Sequence, residues 1–221
     1  MTLLSKFLSF FPALTLGLTG LSLLYGFWHH SLVGLSLSIF FLYGLPVWVH
    51  QIHNRLYPLN NGISYLQGDN YSPWWGSHQL QVIYIAFPAL ETLLRLIPGL
   101  FSVWLRLWGA QIGKGVYWTP GLEIADRGLL TIGDGVVFGH QVGLYSHIIK
   151  PRRDNLMLYL KPITIGDSSF IGAGSYIGAG ATITAGSFLA AGSEIYPNET
   201  IGETTNINET ANQEANHAVA D

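Results

Sequence analysis

The chain has 221 residues, of which 49% are hydrophobic and only 10% are charged, a length that permits one domain plus an additional segment. Its formal net charge of −3 and its lack of a basic stripe with interleaved aromatic residues argue against a nucleic-acid-binding protein. The absence of cysteine agrees with a cytosolic domain that uses no disulfides.

Two stretches near the N-terminus contain no charged residue. The first runs from Phe7 to Phe27 and the second from Leu32 to Val49. Each can cross roughly 30 Å of hydrocarbon at about 1.5 Å per residue. A cleaved signal peptide is the alternative for the first stretch, but its apolar run is long and no small-x-small cleavage motif precedes a mature domain. We therefore expect residues 1–50 to form a transmembrane helical hairpin.

The few basic residues beside these stretches predict the orientation of the hairpin. Lys6 precedes the first stretch and Arg55 follows the second, whereas the connecting loop has no Lys or Arg. Because positive charge is enriched on the cytoplasmic side of membranes, we expect both ends of the hairpin to lie in the cytoplasm.

We expect residues 51–110 to form a connector and membrane-surface helices. Residues 51–77 are rich in turn-forming residues, and residues 78–109 are apolar but interrupted by Pro88 and Pro98, which favours short helices over a third span. One side of such a helix would carry Leu100, Phe101, Trp104, Leu105 and Trp108. This side either lies on the membrane surface or packs as a cap on the domain that follows.

An aliphatic residue then occurs at every sixth position: Ile165, Ile171, Ile177, Ile183, Leu189, Ile195 and Ile201. Small residues lie four positions after the first five of them: Ser169, Ser175, Ala181, Ser187 and Ser193. A period of six fits neither an α-helix nor an ordinary strand, but it suits a parallel β-helix in which each hexapeptide forms one flat face and a turn.

The same pattern begins earlier, with Ile112, Trp118 and Ile124, then a shift of two residues, then Ile132, Phe138 and Leu144. The sequence therefore predicts a mainly β fold over residues 111–203. The register breaks in the segment KPRRDNLMLYLKP, which we expect to form an extruded, functional loop at residues 150–162. Residues 204–221 are polar and acidic without periodicity and are expected to be a disordered tail.

The repeat resembles that of the hexapeptide-repeat acyltransferases, and above all the galactoside, maltose and colanic-acid type O-acetyltransferases. In these enzymes a phased hexapeptide is followed by a short strand, a catalytic histidine, an extruded loop and an IG-D/N-x-x-W-IG motif. This chain reads IGDGVVFGHQVGLYSH, the loop, and then KPITIGDSSFIGAG. The resemblance covers about residues 111–203. It implies a left-handed parallel β-helix with three hexapeptides per coil, and so about four coils in this chain. It also implies a homotrimer, and acyl-CoA as a cosubstrate with no permanently bound cofactor.

On this correspondence, His147 takes the position of the catalytic histidine. Its task would be to remove the proton from an acceptor hydroxyl as that hydroxyl attacks the thioester. Many relatives have an acidic residue directly after this histidine, but Ile148 is found here, so the pattern does not identify the group that orients the imidazole. His140 is expected to point outward at a turn.

The remaining site residues concern acyl-CoA. Phe170 stands where many relatives have a tryptophan that flanks the acyl-CoA, and the backbone N–H of Ala173 corresponds to the family's oxyanion donor. Ala191 and Gly192 align with a stretch along the pantetheine arm. In the loop, the basic residues are candidates to bind CoA phosphates or an anionic head group near the membrane: Lys150, Arg152, Arg153 and Lys161.

Together these features lead us to expect a membrane-anchored acyltransferase that moves an acyl group, specifically acetyl, from CoA to a hydroxyl of a lipid-linked or membrane-associated glycan. The expected location is a bacterial-type inner membrane, with a multi-pass anchor and a cytoplasmic catalytic domain. A γ-class carbonic anhydrase would need three imidazole ligands for zinc, and the repeat offers only His140 and His147, so no metal is expected. A non-catalytic trimeric membrane scaffold is the alternative.

Overall fold

The computed structural model describes residues 2–202 and divides the chain into two compact units. The N-terminal unit comprises Met1–Phe87 and Ile149–Tyr159, and the β-helix unit comprises Pro88–Ile148 and Leu160–Asp221. The tail expected at residues 204–221 lies outside the described residues.

The N-terminal unit begins with four α-helices, α1 to α4, and a π-helical turn at Phe40–Gly44 that links the third to the fourth. The α-helices are Leu3–Leu8, Phe11–Trp28, Leu32–Ile39 and Leu45–Leu56. They form two continuous helical segments, Leu3–Trp28 with 26 residues and Leu32–Leu56 with 25, of mean hydropathy 1.7 and 2.0. Both are long and apolar enough to cross a membrane by length and composition.

Small side chains line the contact between these two helical segments. A Cβ placed on Gly34 would lie 2.6 Å from the Cα of Gly26, so the two backbones can meet only where both residues are glycine. Thr15, Thr19 and Ser38 are also buried, and the hydroxyls of Thr19 and Ser38 donate to backbone oxygens one turn earlier in their own helices. The large apolar side chains point outward, with Phe27 70% and Trp28 84% exposed.

A three-stranded sheet and helix α5 (Pro73–Ala86) complete the N-terminal unit. The sheet places Asn155–Leu160 between Gly62–Tyr65 and His147–Arg152. The segment expected as an extruded loop at residues 150–162 is therefore largely a β-hairpin with a two-residue turn. Its second strand carries leucine at alternate positions, a period-two pattern typical of a strand.

The turn-rich connector at residues 51–77 also contains more regular structure than its composition indicates. It supplies the third strand of this sheet, and the N–H of Leu66 donates to the carbonyl of Leu156 over 2.9 Å. Asn155 adds a reciprocal pair of hydrogen bonds with the backbone of Gln67, each 3.0 Å long. The strand pairing is long-range, so local turn signals did not reveal it.

The β-helix unit starts with helices α6 (Ala89–Arg95) and α7 (Leu100–Leu107) and continues as a parallel β-helix. Its strands stack in three sheets. The first contains Gln111–Ile112, Leu130–Ile132, Ile163–Ile165, Thr182–Ile183 and Thr200–Ile201; the second contains Val137–Phe138, Phe170–Ile171 and Phe188–Leu189; the third contains Glu123–Ile124, Gly143–Leu144, Tyr176–Ile177 and Glu194–Ile195.

The six-residue repeat produces the core directly. Ile183 pairs with Ile165 on one side and with Ile201 on the other, so equivalent aliphatic residues stack in ladders inside the β-helix. The small residues of the repeat fill the corners between faces. Ser175, for example, is fully buried, and its hydroxyl donates to the carbonyl of Gly172 over 2.8 Å and to that of Ala190 over 3.2 Å. These bonds satisfy carbonyls of two successive coils.

The turns between the faces also repeat every six residues. The backbone is left-handed three positions after the stacked residue: at Gly115, Gly121, Gly135, Gln141, Ser168, Gly174, Gly180, Gly186, Gly192 and Asn198. Glycine adopts this conformation without steric cost, which explains why it dominates the series.

Helix α7 caps the first coil, the second of the two alternatives that the sequence left open. Phe101, Trp104, Leu105 and Trp108 are each at most 5% exposed. The ring of Phe101 meets that of Trp118 edge-on at 5.3 Å, and Trp118 stacks on Phe138 at 4.8 Å. This side of the helix is thus buried against the first coil and does not lie on a membrane surface. Val103 and Leu107, on the other side of α7, are exposed.

Candidate functional site

The register of the third sheet places Asp126 beside the histidine singled out by the sequence. Ile124 pairs with Leu144, and the N–H of Ala125 donates to the carbonyl of Leu144 over 3.0 Å. Asp126 comes two residues after Ile124, and Ser146 comes two residues after Leu144. The two residues therefore lie at equivalent positions of successive coils. His147 follows at this corner, where the chain leaves the β-helix for the hairpin.

An imidazole–carboxylate pair forms at this corner. His147 Nδ1 lies 2.6 Å from Asp126 Oδ2. The Asp126 side chain is 4% exposed and the His147 side chain 18% exposed, so the carboxylate is buried while the ring keeps access to solvent. A carboxylate can only accept a hydrogen bond, so it favours the tautomer with hydrogen on Nδ1 and leaves Nε2 able to accept a proton. Asp126 is therefore placed to orient the ring of His147, a role for which the sequence pattern gave no residue.

Backbone contacts hold the two ends of this corner in place. The hydroxyl of the fully buried Ser146 donates to the carbonyl of Leu129 over 3.1 Å, and the N–H of Lys161 donates to the carbonyl of Ser146 over 3.0 Å. The chain therefore leaves and re-enters the β-helix at one fixed point. This arrangement restricts the position of His147, which directly follows Ser146.

A buried ionic cluster lies next to Asp126 in the sequence. Arg127 is 1% exposed, and its Nε donates to Glu91 Oε1 over 2.7 Å. Arg95 Nη2 lies 3.5 Å from the other oxygen of Glu91. The guanidinium of Arg95 also packs over the ring of Phe101, 4.3 Å from its centroid. Helix α6 is thus tied to the segment that carries the candidate orienting carboxylate.

The residues expected along the pantetheine arm lie at the turns of successive coils. Ala173, Ala191 and Gly192 are exposed, and the N–H of Gly192 donates to the carbonyl of Ala173 over 2.8 Å. A Cβ on Gly139 would collide with the backbone N of Ala173, and a Cβ on Gly172 with the backbone of Ala191. Glycine at these positions lets the coils approach closely and leaves a smooth backbone surface at the turn.

Phe170 lies on an outward face and stacks on Phe188, with ring centroids 5.2 Å apart and planes 9° apart. The rings are 39% and 52% exposed, so a flat aromatic surface faces solvent. Arg152 and Arg153 are exposed in the hairpin of the N-terminal unit, whereas the other proposed acyl-CoA residues belong to the β-helix unit. His140 is exposed at a turn, as the sequence predicts.

Comparison with known proteins identifies the repeat. Residues 162–197 match the family model described as "Bacterial transferase hexapeptide (six repeats)". Among curated proteins, none matches this chain.

One similar solved structure is a hexapeptide-repeat acetyltransferase of Vibrio cholerae O1 biovar eltor in complex with acetyl coenzyme A. It matches with a TM-score of 0.42 and 19% sequence identity, and the match covers 62% of this chain and 90% of the Vibrio cholerae chain. A maltose O-acetyltransferase of Clostridium difficile 630 has a TM-score of 0.38 and 20% identity, with coverages of 52% and 78%. A galactoside acetyltransferase in complex with coenzyme A has a TM-score of 0.33 and 17% identity, with coverages of 52% and 74%.

The family match confirms the repeat that the sequence periodicity predicts and implies a left-handed winding of the β-helix. Residues 162–197 are therefore a hexapeptide repeat of the bacterial transferase type.

Proposed function

We propose that this protein is a membrane-anchored acyltransferase that moves an acetyl group from CoA to a hydroxyl of a lipid-linked or membrane-associated glycan. The observation that carries the proposal is the 2.6 Å contact between His147 Nδ1 and Asp126 Oδ2, at the point where the hexapeptide repeat is interrupted. A scaffold that only assembles subunits needs neither an oriented imidazole nor a break in its repeat.

His147 acts as the general base in this proposal, and Asp126 as the residue that positions it. The acceptor oxygen attacks the thioester carbonyl carbon while Nε2 of His147 takes the hydroxyl proton. Asp126 accepts from Nδ1–H and stabilises the imidazolium that forms. When the C–S bond breaks, the imidazolium returns the proton to the departing thiolate, which yields an ester and free CoA thiol.

The backbone N–H of Ala173 is proposed to stabilise the oxyanion of the tetrahedral intermediate. Such a donor is typically worth about 100-fold or more in rate, because it is already oriented before charge develops. Phe170 would flank the acyl-CoA through its exposed ring, and Ala191 and Gly192 would let the pantetheine arm lie against the backbone. These roles rest on the resemblance and on the exposed, close-packed turns.

Arg152 and Arg153 are proposed to contact the CoA phosphates. Both side chains are exposed and positively charged, as ligands for a mobile phosphate should be. Replacing both with alanine should raise the KM for acetyl-CoA several-fold with little change in kcat, measured by release of CoA thiol. An unchanged KM would remove these residues from the site.

The membrane anchor is supported by the way polar and apolar side chains are distributed on the first two helical segments. Gly26 and Gly34 meet at their contact, while large apolar side chains such as Phe27 and Trp28 face outward. Membrane helices associate through small residues and expose large apolar side chains to lipid, whereas the core helix of a water-soluble protein buries its large apolar side chains. The charge bias at Lys6 and Arg55 favours a cytoplasmic location for the β-helix, and a bacterial-type inner membrane is part of the same proposal.

A homotrimer is implied by the resemblance, in which sites lie between neighbouring β-helices. Exposed aromatic residues on the β-helix unit suit such contacts: Phe170 stacks on Phe188, and the exposed Tyr176 stacks on the partly buried Tyr145 at 5.9 Å. The proposed site would then be completed by a second copy of the chain.

The proposal is tested by replacing His147 with alanine in the full-length protein. Wild-type protein should release CoA thiol from acetyl-CoA when membranes are supplied, and the His147→Ala variant should lose this activity by about 100-fold or more. His140→Ala is the matched control, since His140 is exposed at a turn of the same β-helix. If both variants remain assembled and equally active, the scaffold function is favoured and the general-base role is refuted.

A further inference from the structure

A cavity of about 710 Å³ lies within the β-helix unit, between helices α6 and α7 and the first coil. It is distinct in composition from the His147–Asp126 corner, because its walls are mostly apolar and its charged residues are all basic. The residues that matter for its chemistry are Arg95, Ile97, Val103, Arg106 and Lys114.

Arg95 supplies a buried positive charge at this cavity. Its side chain is only 5% exposed, and within residues 2–202 its Nε has no hydrogen-bond partner. Its Nη2 donates to the carbonyl of Leu122 over 3.1 Å and lies 3.5 Å from Glu91. Glu91 makes its shorter contact, 2.7 Å, with Arg127, so one carboxylate serves two guanidinium groups. Burial lowers the pKa of Arg95, as does Arg127, while Glu91 opposes them.

Two further cations line the same cavity. Arg106 is exposed, and its Nε and Nη2 donate to the carbonyls of Ile112 and Gly113 over 2.8 and 2.7 Å, which fixes its position. Lys114 is exposed, and its backbone N–H is held by Asp134 Oδ1 at 2.6 Å. Arg95, Arg106 and Lys114 therefore all line the cavity, and an anion bound there would be attracted by their positive charge.

The remaining walls are apolar and open to solvent. Ile97 is 58% and Val103 48% exposed, and Leu96 beside them is 72% exposed. Exposed apolar surface around a basic pocket suits a ligand that is charged at one end and apolar at the other. A small inorganic anion would use the basic side chains but leave this apolar rim uncovered.

We propose that this cavity binds the phosphate of an anionic lipid, with Arg95, Arg106 and Lys114 around the phosphate and Ile97 and Val103 against the lipid chain. The site is separate from the acyl-transfer centre and does not depend on His147 being a base. It depends on access to lipid, which the proposed membrane anchor provides. A phosphate-bearing lipid held here could equally be an acceptor carrier or a bound membrane lipid, and both present the same chemistry.

The test measures lipid binding rather than catalysis. Full-length protein in neutral detergent is titrated with dioctanoyl phosphatidylglycerol, and bound lipid is counted by native mass spectrometry. Val103→Glu and Val103→Gln form a matched pair, because the two side chains are nearly equal in size and only one adds a negative charge to the cavity wall. Lys114→Gln removes one cation, and Lys114→Arg is its control because it keeps the charge at the same position.

We expect Val103→Glu to bind phosphatidylglycerol about tenfold more weakly than Val103→Gln, from one added charge near the phosphate. Lys114→Gln should weaken binding several-fold, and Lys114→Arg should leave it within about twofold of wild type. Dioctanoyl phosphatidylcholine, inorganic phosphate and CoA should compete poorly. Equal affinity of the two Val103 variants would overturn the site, and equal displacement by phosphate or by CoA would overturn a lipid as its occupant. A His147→Ala variant should bind the lipid normally, which separates this inference from the proposed transfer reaction.

Discussion

Replacing Asp126 with asparagine removes the charge that orients His147 and changes few atoms. The substitution breaks a buried hydrogen bond of 2.6 Å to a carboxylate that is 4% exposed. A hydrogen bond to a charged group is worth about 1.5–3 kcal/mol, which corresponds to roughly 10- to 150-fold in rate if the whole of it is lost in the transition state. The asparagine amide can also donate to Nδ1, which favours the tautomer with hydrogen on Nε2 and blocks proton transfer. We therefore expect kcat to fall by at least about 100-fold.

The assay for this variant is acetyl-CoA thiol release by full-length protein, combined with thermal unfolding to show that the fold is intact. Because Asp126 acts through His147, the double variant Asp126→Asn/His147→Ala should be no slower than His147→Ala alone. Two results would refute the reasoning: an Asp126→Asn variant within twofold of wild type, or losses of activity that multiply in the double variant.

Three other predictions concern the fold. Gly34→Ala should destabilise the helical hairpin by about 1–3 kcal/mol, because its Cβ would lie 2.6 Å from Gly26. Gly20→Ala is the control: its Cβ meets nothing within 4 Å, so the variant should be neutral or stabilising. Thermal unfolding in detergent compares the two variants, and equal melting temperatures would contradict the packing. Gly166→Ala should lower the melting temperature of the β-helix, since its Cβ would collide with the backbone of the next coil, and a wild-type melting temperature would argue against this stacking. Burial, the charge of Glu123 and a hydrogen bond to it raise the pKa of Tyr145 to about 12 from its ordinary value of 10.0, so its contribution to stability should be present below pH 10 and lost as pH rises to about 12. Between pH 10 and about 12, the free energy of unfolding should fall less in Tyr145→Phe than in the wild-type protein. An identical fall in both proteins would show that Tyr145 is not the cause.

The β-helix core was predictable because its periodicity and its burial have the same cause. An inward residue every six positions must be apolar, and the resemblance implies three hexapeptides per coil. Together these assign Ile165, Ile183 and Ile201 to one ladder, and they stack as expected. The family match confirms the repeat over residues 162–197. His147 was singled out for a different reason, because the resemblance places a catalytic histidine directly before the break in the repeat.

Asp126 was missed because its contact with His147 joins two successive coils. The relatives' pattern places an acidic residue next to the histidine in sequence, and that position holds Ile148 here. The two-residue shift between Ile124 and Leu144 also disturbs the simple spacing. Aligning the coils by their stacked residues and then searching the corner of the preceding coil would have found the carboxylate.

Helix α7 shows a second limit of sequence patterns. An apolar side such as that of Phe101 and Trp104 suits a membrane surface as well as the end of a β-helix, so composition could not decide between the two. The aromatic side is buried, since it can pack against Trp118 of the first coil, and Val103 remains exposed. The exposed side then contributes to the cavity that we propose for a lipid phosphate.

The central claim is that this protein, with His147 as its general base, transfers an acetyl group from CoA to a membrane-associated acceptor. It is tested most directly by incubating membranes from cells lacking this protein with isotopically labelled acetyl-CoA and purified full-length protein, followed by mass spectrometry of the lipids and glycans. Wild-type protein should add one labelled acetyl increment to an ester that mild alkali removes, and His147→Ala should add none. No labelled product with folded wild-type protein, or the same product with His147→Ala, would contradict the account.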